Sequence, residues 1–161
     1  MKAIAAIDKN GNIGNKGDLL FHIPEDMKHF RARTLGKTVV MGRKTLDSFP
    51  GGKPLPKRRN IVLSHTVKEI DGAEFVGGTD ELMKVLADVD TDDVFVIGGE
   101  SIYTLLLPMC DTVILTEVDA EAPEADKKFP EMNDADWFLA EQSPVTESNG
   151  YSFKICTYKR K

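Results

Sequence analysis

Residues 93–109 read DVFVIGGESIYTLLLPM, and the class of the fold turns on them. Positions 94–97 are four apolar residues with no polar alternation, the pattern of a strand covered on both faces in a parallel sheet. Gly98 and Gly99 break the run. Residues 100–109 then carry a helical pattern that stops at Pro108. A buried strand, a glycine bend and a helix in direct succession make half of a βαβ unit.

Working outward, the same alternation repeats. Strand patterns lie at 2–7 (KAIAAI), 37–42 (KTVVMG), 59–64 (RNIVLS), 73–76 (AEFV) and 111–118 (DTVILTEV). Two more, at 136–143 and 151–160, flank the turn TESNG and should pair antiparallel. Helical patterns fall at 24–34, 42–49 and 80–89, the first with Pro24 near its start, where a missing N–H costs little. We therefore expect an α/β fold. It comprises a single domain over 1–161, a mostly parallel eight-stranded central sheet, a C-terminal antiparallel hairpin and about four flanking helices. The acidic segment 119–135 (DAEAPEADKKFPEMNDA) reads as an exposed loop.

Composition narrows the function. The 161 residues are 41% hydrophobic and 29% charged, ordinary for a globular protein. Twenty-one Lys and Arg against 26 Asp and Glu give a net charge of -5, which speaks against a nucleic-acid partner. No run of 18 apolar residues exists, so no membrane span is expected. Asp8 and Lys9 interrupt the N-terminus before a signal-like core can form, and a cytoplasmic location is expected. Cys110 and Cys156 lack C-x-x-C or metal-ligand spacing; they read as reduced thiols, with a single disulfide as the alternative. His22, His29 and His65 are scattered, so no metal is expected.

GKT at 36–38 is not a P-loop, because the required earlier glycine is Arg31. Glycines nevertheless follow strand ends at Gly11, Gly14, Gly42 and Gly98-Gly99, where open α/β sheets bind ligands. Arg43 and Lys44 open a helix, and Ser64 and His65 end a strand. They read as a phosphate nest or as solvated turn residues. Arg58 and Arg59 precede a central strand and suit a carboxylate or plain solvent. Asp26 is the outlier. Ile23, Met27 and Phe30 mark one apolar stripe, and Asp26 shares that side, while Glu25, Lys28 and His29 take the polar one. An inward carboxylate is costly unless it is hydrogen-bonded or functional, and burial raises its pKa. It suits a general acid or an anchor for a donor-rich ring.

These segments together resemble the bacterial dihydrofolate reductases. AAIDKNGNIG, IPEDMKHF, VVMGRKT, PLPKRRNIVLS, VFVIGGESIY and ILTEVDAE follow the family's signatures in order from Met1 to about Lys159. The resemblance implies NADPH-dependent reduction of 7,8-dihydrofolate to tetrahydrofolate for one-carbon metabolism, by a cytoplasmic monomer open to antifolate-type inhibitors. It implies that Asp26 holds the pterin N3 and 2-amino group, with Thr116 bridging to the acid and Leu19 and Phe21 beside it. Ile4, Ala5, Ala6, Met27, Phe30, Phe49, Leu55, Ile97 and Tyr103 would line the pocket, and Arg58, rather than Arg59, would grip the folate α-carboxylate.

Cofactor positions would be Ala6, Ile13, Gly14, Gly42, Arg43, Lys44, Thr45, Leu63, Ser64, His65, Ile97, Gly98, Gly99, Glu100, Ser101, Ile102 and Tyr103. The 2′-phosphate would lie nearest Arg43, Ser64 and His65, and the diphosphate beside Gly98-Gly99. Asp26 would fix the pterin tautomer and help orient water rather than protonate N5 directly, while closure of the 14–23 loop excludes bulk water. Three departures stand out. Phe21 replaces a usual tryptophan, removing an indole N–H; Leu20 and His22 stand where relatives often have proline and a different polar residue; and Glu100 replaces a usual glycine or glutamine, so its side chain should turn away from phosphate. Another pterin or pyrimidine reductase, of the riboflavin-biosynthesis type, is the alternative; Asp26 and Arg58 favour folate over it. A non-catalytic nucleotide-binding protein is the alternative of another class.

Overall fold

The parallel sheet grows from strand β1 (Lys2–Ile7). The computed structural model describes residues 1–15, 18–66 and 69–161, so residues 16 and 17 of the 14–23 loop lie outside it. After β1 come two short strands, β2 (Asn12–Asn15) and β3 (Asp18–Leu19), and helix α1 (Pro24–Thr34). Then β4 (Thr38–Gly42) runs into α2 (Arg43–Ser48), followed by β5 (Arg59–Leu63) and β6 (Ala73–Val76). Helix α3 (Thr79–Val85) leads to β7 (Val94–Gly98) and α4 (Glu100–Leu106). The chain closes with β8 (Thr112–Val118), β9 (Lys127–Lys128), β10 (Trp137–Gln142), β11 (Thr146–Ser148) and β12 (Tyr151–Arg160).

Eight strands lie in the order β10-β12-β8-β1-β7-β4-β5-β6, and β11 pairs with β12 beside them. All neighbours from β8 to β6 are parallel, whereas β12 runs antiparallel to β8, β10 and β11. The eight strands expected from sequence are these eight. Segment 146–150, read as a turn, holds a strand and a tighter turn. Asn149 and Gly150 have φ 51 and 81, the pair of positive values that a two-residue hairpin turn requires.

Helices cover both faces because the central strands are apolar on both. On one face Val40, Ile61 and Val96 pack with Leu82 of α3 and with Ile102, Tyr103 and Leu106 of α4. On the other, Ile4, Val39, Met41, Val62, Phe95 and Ile114 pack with Leu46 of α2 and Phe30 of α1. Helix α1 starts with Pro24 and places Glu25 and Asp26 in its first turn and Arg31 and Arg33 in its last, in accord with its dipole. The expected helix at 80–89 is shorter, since Leu86 caps it.

The acidic segment 119–135 is not simply an exposed loop. Ala122 and Phe129 are buried, Asp126 N donates to Gly14 O and Phe129 N to Gly11 O, and β9 pairs with β2. The anchor is Asp8, only 2% exposed. Its carboxylate accepts from the backbone N–H of Asn10, Asn12 and Ala122 and from the Asn12 amide, all within 2.8–3.0 Å. Burial alone would raise its pKa, but the bonds from the Asn12 side chain and the three N–H groups hold it lowered. A depressed pKa contributes stability above the ordinary aspartate range and loses it as pH falls through the lowered value. Asp8→Ala leaves several donors without an acceptor and should destabilise the protein by about 2–3 kcal/mol near pH 7. Thermal melts should show this gap narrowing in acid; a gap independent of pH would remove the carboxylate from the explanation.

Candidate active site

Asp26 reaches inward from the first turn of α1 because Pro24 starts the helix with Ile23, its buried predecessor, against the sheet. Its Oδ1 accepts a hydrogen bond of 2.5 Å from Thr116 Oγ1. Thr116 is buried on β8, in register with Ala6 of β1 and Ile155 of β12. Burial raises the pKa of Asp26, while the Thr116 hydroxyl and His29 pull it down. When ionised, the carboxylate presents acceptor oxygens at the edge of an apolar wall.

That wall gathers most of the expected pocket residues. Ile4 is buried, and Phe30, Phe49, Leu55 and Ile97 are partly buried in the same cluster. Ala5 and Ala6 are half-buried on β1. Exposure varies among the other expected positions. Met27 and Leu19 are 57% and 65% exposed, so the stripe on α1 is a lining open to solvent and not a buried seam. Tyr103 is buried in the α4 core, its hydroxyl donating to Ile4 O at 2.7 Å. That bond ties α4 to β1, and burial drives the tyrosine's pKa up.

His29 also departs from the solvated side given to it. It is half-buried, with Nε2 enclosed and without a hydrogen-bond partner among the described residues. Burial lowers its pKa, Arg33 adds to that, and Asp26 opposes it. Phe21 packs on a separate cluster with Ile23, Val118 and Phe153, its ring 5.0 Å from that of Tyr151. Asn149 Nδ2 donates to His22 O, so the hairpin tip secures this segment.

The two arginines are separated by their partners. Arg59, on β5, meets Glu74 through two hydrogen bonds of 2.6 and 2.8 Å, which hold its pKa up. Arg58 donates to Pro56 O and to Thr34 Oγ1, and meets no carboxylate among the described residues. Burial, and then the charge of Arg31, lower its pKa. The buried Asn60 fixes the turn around it by bonding Leu55 N, Leu55 O and Arg58 O. Thr34 and Asn60 were not singled out in the sequence; the only hint was that Thr34 follows Phe30 by one helical turn, close enough to bond its carbonyl.

The remaining expected positions meet where three adjacent parallel strands end. The carboxyl end of β7 supplies Ile97, Gly98, Gly99 and Glu100, with Ser101 and Ile102 following in α4. Strand β4 supplies Gly42, then Arg43, Lys44 and Thr45 of α2, and β5 supplies Leu63, Ser64 and His65. The glycines suit close approach of a dinucleotide. Gly98 has φ 129, and a Cβ there would meet Thr45 Oγ1 and the Tyr103 ring at 3.5 Å. At Gly42 a Cβ would come within 2.9 Å of Ile102 Cγ1. The Gly98–Gly99 peptide is cis. Ser64 Oγ accepts from Thr66 N, Arg43 Nε meets the exposed Asp47 at 3.4 Å, and His65 is exposed. Ile13 and Gly14 lie on β2, paired with β3 and β9. The residues present therefore fit an anionic dinucleotide with backbone at its centre and cations at one end. No cluster able to hold a metal occurs among the described residues.

The model of the dihydrofolate reductase family matches residues 1–160. The dihydrofolate reductase of Bacillus subtilis is 35% identical over 161 residues, covering 98% of this chain and 93% of that one. The type 3 dihydrofolate reductase of Salmonella typhimurium is 37% identical, covering 98% and 96%. Among solved structures, the Enterococcus faecalis dihydrofolate reductase complexed with NADP(H) and RAB-propyl superposes with a TM-score of 0.85 at 32% identity, covering 99% of this chain and 95% of that one.

Proposed function

This chain belongs to the dihydrofolate reductase family, and from that premise we propose that Asp26 is the carboxylate that receives the pterin ring. The reaction is the NADPH-dependent reduction of 7,8-dihydrofolate to 5,6,7,8-tetrahydrofolate. Bound NADPH supplies a hydride to C6, and N5 gains a proton. The Asp26–Thr116 pair at the edge of an apolar wall carries the reading. The acid accepts from N3 and the 2-amino group, and the Thr116 hydroxyl fixes one of its oxygens so that the other meets the ring. Ionised Asp26 favours positive charge on the pterin and so raises the affinity of N5 for a proton. Ile4, Phe30, Phe49, Leu55 and Met27 sandwich the ring and exclude water.

Arg58 binds the α-carboxylate of the folate tail. Arg43, Ser64 and His65 bind the 2′-phosphate, Thr45 and Gly98-Gly99 the diphosphate, and Ala6, Ile13, Gly14 and Ile97 border the nicotinamide. All these groups come from one chain, which supports a monomer acting as one domain over 1–161. Cys110 and Cys156 are both free and buried, their thiols pushed up to about 11 and about 12, in accord with a reducing cytoplasm. No helix among the described residues is long and apolar enough to cross a membrane.

The direct test mixes the purified protein with NADPH and dihydrofolate and follows loss of the nicotinamide absorbance; a rate no higher than background overturns the reading. Cofactor choice is tested in the same assay. Arg43→Gln or His65→Gln should raise the KM for NADPH, by roughly tenfold for the arginine, and leave that for NADH almost unchanged. Equal losses with the two cofactors would move the 2′-phosphate elsewhere.

A further inference from the structure

Glu100 begins α4 directly after the Gly98–Gly99 bend, on the turn that receives the diphosphate in the reading above. It is half-buried, and its Oε2 accepts a hydrogen bond of 3.2 Å from the backbone N–H of Lys128. Lys128 lies on β9, opposite Asn12 of β2, the strand that carries Ile13 and Gly14. One carboxylate thus links the cofactor's turn to the ribbon over its nicotinamide end.

This link is neutral on one side. A backbone N–H orients the carboxylate but does not cancel its charge, and no Lys, Arg or His among the described residues comes within 4.0 Å to form an ion pair with it. Among the described residues no neighbouring cation offsets this carboxylate, which is held within one residue of the bend. A diphosphate bound at that bend meets it as a like charge, at a partly screened distance where each pair of charges still matters.

We propose that Glu100 is a cofactor-release residue. Its charge weakens the hold on the diphosphate of NADPH and NADP+ alike, and its bond to Lys128 passes that repulsion to the β2–β9 ribbon. The inference rests on the placement of the diphosphate given above, and it concerns binding of the cofactor and not the chemical step.

Glu100→Gln separates charge from shape, because a glutamine oxygen can still accept from Lys128 N–H. Fluorescence titration of the folate-free protein with NADPH, NADP+ and NADH should show the variant binding all three roughly threefold to tenfold more tightly. Stopped-flow release of NADPH should slow by a similar factor, the NADPH-to-NADH preference should stay fixed, and the gain should fade as salt is raised to about 0.5 M. A structural role alone would show no such salt dependence. Unchanged or weaker binding by the variant overturns the proposal, as does a gain confined to NADPH, which would put the charge beside the 2′-phosphate. Wild-type protein that binds none of the three overturns the cofactor site itself, a result separable from either.

Discussion

Asp26→Asn is expected to slow hydride transfer near pH 7 by roughly 30-fold or more, a loss on the order of 2 kcal/mol, while the protein remains folded. Asparagine keeps the volume and can still accept from Thr116 Oγ1 through its own oxygen, so the bond between α1 and β8 survives. What disappears is the negative charge that favours a protonated pterin. The deficit should therefore shrink as pH falls and the substrate arrives already protonated. The same change should make the empty protein more stable. Burial raises the pKa of Asp26, so ionisation is disfavoured in the folded state relative to the unfolded one. A raised pKa contributes stability below the unfolded aspartate value and loses it as pH rises through the folded value. Asparagine cannot ionise and escapes that loss. Thermal melts without ligand should give a higher Tm for the variant at pH 7, and the difference should vanish in acid. A variant with wild-type rates across pH would end the role proposed for Asp26. A lower Tm at pH 7 would mean that the carboxylate makes a contact which the amide cannot.

Much of this could be read from the chain, and the reasons differ by element. The central strands were legible because both of their faces are buried, which leaves uninterrupted runs such as VVM at 39–41 and VFVI at 94–97. Asp26 stood out because a charge on an apolar stripe conflicts with helical periodicity, and such local conflicts collect at functional sites. Tertiary partners hid the rest. The segment 119–135 has the composition of a free loop, yet buried Asp8 draws Ala122 in from 114 residues away along the chain. Periodicity put Met27 on one apolar stripe with Ile23 and Phe30 but gave no means to tell that it is open to solvent while Ile23 is buried. His29 looked solvated because its neighbours Lys28 and Glu25 are, yet its Nε2 is enclosed. Tyr103 was placed in the pocket by resemblance; the bond from its hydroxyl to Ile4 O, which ties α4 to β1, had no signal in the sequence.

The two adjacent arginines give the sharpest contrast that a pair of substitutions can test. Arg59→Gln breaks its contacts with Glu74, a partly exposed pair on the outer strands, and should cost about 1 kcal/mol of stability or less with little change in the KM for dihydrofolate. Arg58→Gln should do the reverse. Its guanidinium is held in place by Pro56 O and Thr34 Oγ1, and Thr34 is itself tied to Phe30 O at the end of the helix that carries Asp26. A cation positioned in advance, half-buried and near Arg31, is poised for a carboxylate and loses little entropy on meeting one. Removing it should raise the KM for dihydrofolate roughly a hundredfold, about 2.8 kcal/mol, and leave kcat at saturation within a few fold. A reduced pterin without the glutamate tail has no carboxylate to lose, so wild type and Arg58→Gln should handle it alike. That comparison decides the matter, since a general disturbance of the 55–58 turn would penalise both substrates. If the tailless pterin suffered equally, Arg58 would be a structural residue of the turn, and the tail carboxylate would have to be sought elsewhere on the rim of α1.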